Sequence, residues 1–367
     1  MLKTLLSFSF FIAIHTFAND LPGQEFTQSY SVPKSFNING SDRTIEERMK
    51  HYGVPGASIA VIQNRKILWT QSYGVKNVHT NNRVEIDTLF QAASISKPLS
   101  AMAILKLAQD GKLALDSTAN EHLVGWKIPE HRYREKHPVL VKHLINHTSG
   151  LTVHGFSGYN VKESIPSLIE VLNGASWLDR LTGAKIANSS PVEVDKRPGK
   201  TFSYSGGGYS VLQQLLADSE GSDFSDFMKK NIFTPLNMPN STYQQPLKIE
   251  FSASAATGHP KKNTPIVGKY HIYPEQAAAG LWTTSEDLAK FVIDIQASLS
   301  NDSGAVLSKR TAQKMTSPTI DKEIGLGLFL RGANDSDQGY FLHDGWNEGF
   351  SSTLIAHKLD GYGVIIL

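Results

Sequence analysis

A serine and a lysine stand three positions apart, at Ser94 and Lys97. Residues three apart on a helix share a face, so a helical segment would bring the hydroxyl and the amine together. A serine hydroxyl is a poor nucleophile unless a nearby base takes its proton, and a deprotonated lysine can do so. The pair predicts acyl transfer through Ser94 with Lys97 as the base. A second Ser-x-x-Lys, at Ser31 and Lys34, holds Pro33 in a polar stretch and is interpreted as a coincidence.

The helix that carries the pair has to begin at or just before Ser94. Proline is tolerated in the first turn of a helix and costs about 3 kcal/mol deeper in it, and Pro98 follows the pair directly. Ser94 is therefore expected at a helix N-terminus, where backbone N–H groups lack partners and the dipole is positive. Residues 99–108 are apolar on nearly every face, which predicts a buried helix that ends at Gly111.

Two further groups could complete an acyl-transfer site. Tyr204 precedes a predicted helix, and a phenol beside the Ser–Lys pair can pass a proton to a leaving group. His343 begins a His-Asp-Gly run on a predicted strand, where the imidazole can donate a hydrogen bond and Gly345 would let a substrate backbone lie close. His147 follows a predicted helix, and we expect it to fix a loop under the site.

Other hydrolytic chemistries lack their motifs. His143 and His147 are four apart, but Leu144 stands where a zinc protease needs glutamate, so no metal site is predicted. No Gly-x-Ser-x-Gly occurs, which excludes the usual nucleophile elbow of α/β-hydrolases. The glycine run 206–208 lacks the Lys-Ser or Lys-Thr of a phosphate loop. We expect no metal and no organic cofactor.

Composition describes an ordinary globular protein of 367 residues, with 40% apolar and 19% charged residues. Lys plus Arg number 36 against 34 Asp plus Glu, a net charge of +2, so no global field selects nucleic acid. The basic stretch 131–137 contains Glu135 and no aromatic ladder, as in a solvated loop. The expected partner is a small molecule or peptide, and the oligomeric state stays open.

The N-terminus predicts export. Lys3 precedes a mostly apolar run, 5–17, without a charged residue, and small residues lead to Ala18. A membrane span needs roughly 20 apolar residues, so a signal peptide at 1–18 is favoured over a retained anchor. After cleavage no membrane span is expected, and the protein would be periplasmic or secreted from a bacterium. The chain has no cysteine and hence no disulfide.

The remaining periodicity predicts an α+β fold. After an irregular arm at 19–43 come a helix, 44–52, and two strands, 58–63 and 66–73, joined by a turn at Asn64 and Arg65. Helices follow at 141–146, 209–220 and 285–298, and strands at 324–330, 340–343, 351–357 and 362–367. One domain, 44–367, is expected, with a sheet region at 44–93 plus 271–367 and a helical region at 94–270. The long segment 152–202 would form a wall of the site.

Four motifs give the chain a family resemblance. They are residues 90–97 (FQAASISK), 147–151 (HTSGL), 202–209 (FSYSGGGY) and 280–284 (GLWTT). In this order they resemble the penicillin-recognising serine hydrolases, the group of class C β-lactamases, D-Ala-D-Ala carboxypeptidases and related esterases. The resemblance implies an antiparallel sheet flanked by helices and packed against an all-helical region, with the site between them.

The resemblance also implies roles for single residues. Ser94 would be the nucleophile, Lys97 the general base and Tyr204 the proton shuttle, while His343 would stand where many relatives have lysine. The backbone N–H groups of Ser94 and Trp346 would form the oxyanion hole, and two glycines would line the bound substrate. These are Gly206 and Gly345.

Two departures from the family pattern bear on the substrate. Gly206 stands where relatives often have asparagine, and His343-Asp344-Gly345 replaces the Lys-Thr-Gly that is common in β-lactamases. Both favour a D-amino peptide or an ester as substrate. Hydrolysis of β-lactams is an alternative, and a non-catalytic penicillin-binding or scaffold protein is an alternative of another class.

Overall fold

The structure is a computed structural model and describes residues 35–38, 41–300, 304–332 and 339–367. The predicted signal peptide, 1–18, and the second Ser-x-x-Lys, at Ser31 and Lys34, lie outside the described residues. Within those ranges no helix is both long enough and apolar enough to cross a membrane.

The strands form one large sheet and three small pairs. They are β1 (Phe36–Ile38), β2 (Ser41–Arg43), β3 (Gly56–Gln63), β4 (Lys66–Gly74), β5 (Phe90–Gln91), β6 (Tyr159–Asn160), β7 (His271–Ile272), β8 (Trp282–Thr283), β9 (Phe329–Arg331), β10 (Tyr340–Asn347), β11 (Phe350–His357) and β12 (Gly363–Ile366). The large sheet has the order β4-β3-β12-β11-β10-β9, and its pairs are antiparallel. Early and late strands are thus neighbours, as the predicted α+β fold requires.

Most helices lie in the chain between β4 and β9. The helices are α1 (Ile45–Tyr52), α2 (Ser96–Gln109), α3 (Ala119–His122), α4 (Val141–Ile145), α5 (Leu168–Asn173), α6 (Trp177–Thr182), α7 (Gly206–Glu220), α8 (Phe224–Met228), α9 (Ile249–Ser252), α10 (Gln276–Ala279), α11 (Ser285–Leu299) and α12 (Lys309–Met315). A 3₁₀ turn at Ala93–Ile95 precedes α2, and a π turn at Lys229–Phe233 follows α8. The main core is continuous from the sheet into the helices, since it joins Ala60 and Leu354 to Leu105 and Leu212.

Local chemistry sets the turn between β3 and β4 and the start of α1. Asn64 and Arg65 both have positive φ, 51° and 57°, which is the backbone of the tight turn predicted between β3 and β4. The helix α1 begins after Thr44, whose side chain accepts from the N–H of Glu47, while the Glu47 side chain accepts from the N–H of Thr44. This capping box satisfies two backbone donors that a helix start leaves unpaired.

The irregular arm predicted at 19–43 is wrong for its last residues. Phe36–Ile38 and Ser41–Arg43 pair as the antiparallel strands β1 and β2. A run of serine and asparagine favours loops, but backbone pairing between two three-residue segments needs little side-chain support and leaves no hydrophobic pattern to read.

The start of α2 lies close to its predicted position. The α-helix begins at Ser96, and Ser94 belongs to the 3₁₀ turn that leads into it. Pro98 falls in the first turn, and most of α2 is buried. Ala93 has a φ of 51°, an uncommon backbone for a residue with a side chain. The chain therefore bends sharply just before the serine.

Strand β10 packs directly against that bend through Gly345. A methyl group built on Gly345 would meet the carbonyl oxygen of Ala92 at 2.2 Å and Oγ of Ser352 at 2.3 Å. Oγ of Ser352 in turn donates to the Ala92 carbonyl over 2.8 Å. Only glycine allows this approach, so the sheet holds the bend that presents Ser94.

Replacing Gly345 with alanine should separate β10 from the bend. We expect Gly345→Ala to lower the free energy of unfolding by about 1–3 kcal/mol, because the displaced atom is backbone and cannot rotate away. Chemical denaturation would measure the loss. Gly155→Ala is the control, since nothing lies within 4 Å of its built methyl group and its φ is ordinary. Equal stability of the two variants would contradict the packing role of Gly345.

Candidate active site

Ser94 and Lys97 meet as their spacing predicts. Nζ of Lys97 lies 3.0 Å from Oγ of Ser94 and donates to the carbonyl oxygen of Ala278 over 2.7 Å. Lys97 is 2% exposed, whereas Ser94 is half-buried and so accessible to a ligand. The amine is therefore buried, whereas the residue that carries the hydroxyl is partly exposed.

Burial changes the charge state of Lys97. Desolvation disfavours the ammonium form and lowers the pKa of Lys97 from 10.5 to about 7. The amine is thus partly neutral near pH 7 and offers a lone pair. In that state it can accept the proton of the Ser94 hydroxyl while it still donates to Ala278. The geometry and the pKa together suit a general base.

Tyr204 reaches the same serine from a distant part of the chain. Its phenol hydrogen-bonds with the Ser94 side chain, and Nζ of Lys97 lies 4.9 Å from the centre of its ring. Burial raises the pKa of Tyr204 above its usual range, so the phenol keeps its proton. Tyr204 stands just before Ser205, the N-cap of α7, whose Oγ accepts from the N–H of Gly208 over 2.8 Å.

His343 lies beside Tyr204, and its two ring nitrogens have different surroundings. Its ring is centred 6.4 Å from that of Tyr204 and is 2% exposed. Nδ1 lies 2.7 Å from the carbonyl oxygen of Asp344, which can only accept, so we assign the proton to Nδ1. Nε2 is then an acceptor, and it is buried with no hydrogen-bond partner among the described residues. His343 thus donates to the backbone through Nδ1, and the nitrogen that is left over can only accept.

The charge of His343 is equally restricted. Burial and the nearby Lys97 lower the pKa of His343 to about 3, although its bond with the Asp344 carbonyl opposes this. The imidazole is therefore neutral at physiological pH. It supplies a lone pair in the place where the family pattern often has a lysine cation.

At both predicted substrate glycines, other parts of the protein occupy the space beside Cα. At Gly345 the Ala92 carbonyl occupies the space that a methyl group would take. A methyl group on Gly206 would meet a ring carbon of Phe156 at 2.9 Å, and the N–H of Gly206 donates to the carbonyl of His154 over 3.0 Å. The place of an asparagine side chain is taken by an aromatic ring from the predicted wall segment, 152–202.

The predicted oxyanion-hole residues occupy suitable elements. Ser94 lies in the first turn of a helical segment, where N–H groups lack helical partners. Trp346 follows Gly345 on β10, the strand that packs against this turn, and its side chain is 58% exposed. Asn347 fixes the strand end, since its Nδ2 donates to Oε1 of Gln91 over 3.0 Å and to the carbonyl of Ala279 over 3.1 Å.

His147 supports the site from below, as predicted. Its ring stacks on that of Tyr204 at 4.3 Å between centres, and Nδ1 accepts from the N–H of Ser205 over 3.1 Å. His143 instead accepts at Nδ1 from the N–H of Leu140 over 3.1 Å. The described residues contain no group of three or more metal-ligating side chains.

No sequence pattern predicts the carbonyl that holds Lys97. The segment around Ala278 is fixed by Gln213, whose Nε2 donates to Pro274 over 3.1 Å and whose Oε1 accepts from Ala277 over 3.0 Å. Further along, the N–H of Leu281 donates to Oγ of Ser96 over 3.0 Å. A backbone acceptor has no residue type of its own, so only its fixed position identifies it.

Two strained residues adjoin the site. His147 has a φ of 59° and Val153 a φ of 62°. Positive φ is especially unfavourable for a β-branched residue such as valine. The carbonyl of Val153 accepts from Gly207 in the first turn of α7. Strain of this kind persists where surrounding contacts over-determine the backbone, and it often marks functional sites.

A serine hydroxyl, a buried lysine amine and a phenol lie together between the sheet and the helical region, which is the arrangement that acyl transfer by a Ser-x-x-Lys pair would need. The chain belongs to the family described as Beta-lactamase, which matches residues 41–367. It is therefore a member of a serine hydrolase superfamily.

Individual relatives are distant. The chain is 25% identical over 334 residues to "Protein flp" of Staphylococcus aureus strain MW2, a match that covers 89% of this chain and 62% of that relative. The chain thus spans less than two thirds of the length of this relative.

Solved structures share the fold. The octameric penicillin-binding protein homologue from Pyrococcus abyssi superposes with a TM-score of 0.65 at 25% identity, over 88% of this chain and 71% of that one. A β-lactamase/D-alanine carboxypeptidase from Yersinia pestis, solved with citrate, gives 0.64 at 22% identity, over 88% and 89%. The second likeness is one of fold alone.

The pKa of Lys97 predicts a measurable dependence of stability on pH. The folded chain loses this proton at about pH 7, while the unfolded chain keeps it to about pH 10.5. Between these values the unfolded state binds more protons, so Lys97 makes the free energy of unfolding rise with pH, by up to about 1.4 kcal/mol per pH unit. Lys97→Met removes this contribution.

Denaturation of both proteins between about pH 7.5 and about pH 9.5 would measure the difference, because that window lies between the two pKa values. The wild type should gain stability relative to Lys97→Met as the pH rises. The exposed Lys50→Met serves as the control and should run parallel to the wild type. Parallel curves for Lys97→Met would show that the amine is not desolvated.

Proposed function

We propose that the protein is a serine hydrolase that works through an acyl-enzyme on Ser94 and acts on a D-amino peptide or an ester. The observation that carries the proposal is the 3.0 Å contact between Ser94 and a buried Lys97 amine whose pKa is about 7. A lysine kept only for packing or charge would gain nothing from this arrangement. A non-catalytic binding protein would not need a neutral amine beside an accessible hydroxyl.

Acylation begins with proton transfer from Ser94. Lys97 takes the hydroxyl proton as Oγ attacks the substrate carbonyl carbon, and a tetrahedral intermediate forms. The backbone N–H groups of Ser94 and Trp346 would stabilise its negative oxygen, each contributing about 3 kcal/mol. The carbonyl of Ala278 keeps the resulting ammonium in place, so no charge has to leave the site.

Expulsion of the leaving group needs one proton, and Tyr204 is placed to deliver it. The phenol gives its proton to the leaving nitrogen or oxygen and receives one from the Lys97 ammonium, which returns both groups to their starting states. His343 accepts through Nε2 and would orient the phenol or a substrate N–H; it does not act as an acid. Because burial keeps Tyr204 protonated, the shuttle is loaded before each turn.

Deacylation repeats the same proton movements with water. The neutral Lys97 amine takes a proton from the water as its oxygen attacks the acyl carbon. The ester bond to Oγ then breaks, and Ser94 regains a proton from the Lys97–Tyr204 relay. The products are the free acid and the restored enzyme, and no cofactor takes part in these steps.

The substrate class rests on the family resemblance and on the His343-x-Gly345 sequence in place of Lys-Thr-Gly. Export rests on the sequence of residues 1–18, and we propose a periplasmic or secreted protein on that ground. The acyl-enzyme on Ser94 and the export of the protein can be tested on the same labelled sample.

Covalent labelling tests the nucleophile. We expect a fluorophosphonate or a labelled penicillin to modify Ser94, with Ser94→Ala unlabelled and its hydrolysis lowered by at least about a thousandfold. Peptide mass spectrometry would locate the adduct, and the intact mass of protein recovered from bacteria would show whether the chain starts at Asn19. No adduct at Ser94 with either reagent would refute the acyl-enzyme.

The pH dependence of hydrolysis should report Lys97. Below about pH 7 the amine is protonated and cannot act as a base, so kcat/KM for 4-nitrophenyl butyrate should fall about tenfold per pH unit and level off above it. His343 adds no second step near neutrality, since its pKa is about 3. Initial rates corrected with Ser94→Ala would measure the profile, and a flat profile from about pH 5.5 to about pH 8.5 would contradict this role.

A further inference from the structure

Several aromatic rings lie close to Tyr204. The ring of His154 is centred 4.9 Å from that of Tyr204, and the ring of Phe329 stacks parallel to it at 6.3 Å. Phe329 also lies 5.2 Å from His343, between centres. Phe156 fills the space beside Gly206. A leaving group that receives its proton from Tyr204 has to lie against these rings.

Formal charge is scarce around these groups. Lys97 is the one full cation that acts on the pKa of His343. The pKa of Tyr204 responds to burial and to its bond with Ser94, with no carboxylate and no cation among its causes. Burial is the largest influence on the pKa of His147, followed by Lys97 and the two histidines beside it. Apart from burial, the groups that act on these three pKa values are thus Lys97, Ser94, two histidines and a backbone carbonyl, with no carboxylate among them.

A carboxylate placed here would be penalised twice. It would lose water, which costs several kcal/mol for a charged group, and the cation that acts on these groups is Lys97, which has to be neutral to serve as the base. It would also favour the ammonium form of Lys97, since a nearby negative charge raises the pKa of an amine. The base would then keep its proton, and Ser94 would lose its activator. His343 cannot compensate, because its free Nε2 is a lone pair.

We propose, building on the acyl transfer above, that the site takes esters or amides whose leaving group is uncharged and apolar, and that Phe329 is a specificity-determining residue. Phe329 qualifies because its ring is centred 6.3 Å from that of Tyr204 and 5.2 Å from that of His343, and because its side chain is only half-buried. Among D-amino peptides, the site would therefore prefer those with a blocked C-terminal carboxylate to those that end in a free carboxylate.

Two aryl esters that differ by one carboxylate test the proposal. 4-Nitrophenyl butyrate and 3-carboxy-4-nitrophenyl butyrate share the acyl group, and dividing each kcat/KM by the rate of hydroxide hydrolysis corrects for leaving-group reactivity. We expect the wild type to favour the neutral ester by at least about tenfold. Equal values, or a preference for the carboxylated ester, would overturn the proposal without the need for any variant.

A pair of variants tests the part played by Phe329. Phe329→Lys supplies a cation and should raise kcat/KM for the carboxylated ester, so that the preference for the neutral ester falls about tenfold. Phe329→Met, of similar length and without charge, should keep the preference of the wild type. Both are first shown to be folded by thermal melting and by fluorophosphonate labelling of Ser94. A folded, labelled Phe329→Lys with an unchanged preference would refute the assignment of Phe329.

Failure of the underlying function gives a different result. If neither ester is hydrolysed and Ser94 takes no label in the same sample, the acyl-enzyme itself is refuted and the selectivity falls with it. If Ser94 is labelled and both esters react equally, only the selectivity is refuted.

Discussion

The buried amine of Lys97 is the constraint on which the site depends. An ammonium group is costly to bury, and the fold makes it tolerable by lowering its pKa to about 7 and by giving it one carbonyl, that of Ala278, as a fixed acceptor. The same burial makes the amine a base for Ser94. Stability is thus lost and reactivity gained at one atom, which is the usual exchange at an active site.

Much of the surrounding structure holds that one carbonyl and one hydroxyl in register. Gln213 on α7 fixes the segment before Ala278, and Ser96 and Asn347 fix the segment after it. On the other side, Gly345 lets β10 approach the bend at Ala92, where the backbone turns sharply before Ser94. Helices and sheet therefore each position one partner of the Ser94–Lys97 contact, and neither could form the site alone.

The sequence predicted those parts that local spacing or strong patterning determines. The Ser94–Lys97 contact follows from helical periodicity, and the turn at Asn64 follows from tight-turn chemistry. Tyr204 is a candidate by its residue type and its place before a helix, but only the family resemblance pairs it with Ser94, because nothing local links the two residues. The acceptor at Ala278 and the Nδ1 proton of His343 could not be predicted, since both depend on backbone carbonyls brought close by tertiary packing.

The position of β12 between β3 and β11 has a consequence for synthesis. The nucleophile and its base lie in the first third of the chain, yet the sheet that braces them is completed by strands near residue 363. Such long-range pairing is slow, because distant segments lose conformational entropy as they meet, before their contacts stabilise the fold. A nascent chain therefore carries a Ser94 that the sheet does not yet hold in position. The site is complete only after β12 has been translated and has paired with β3 and β11.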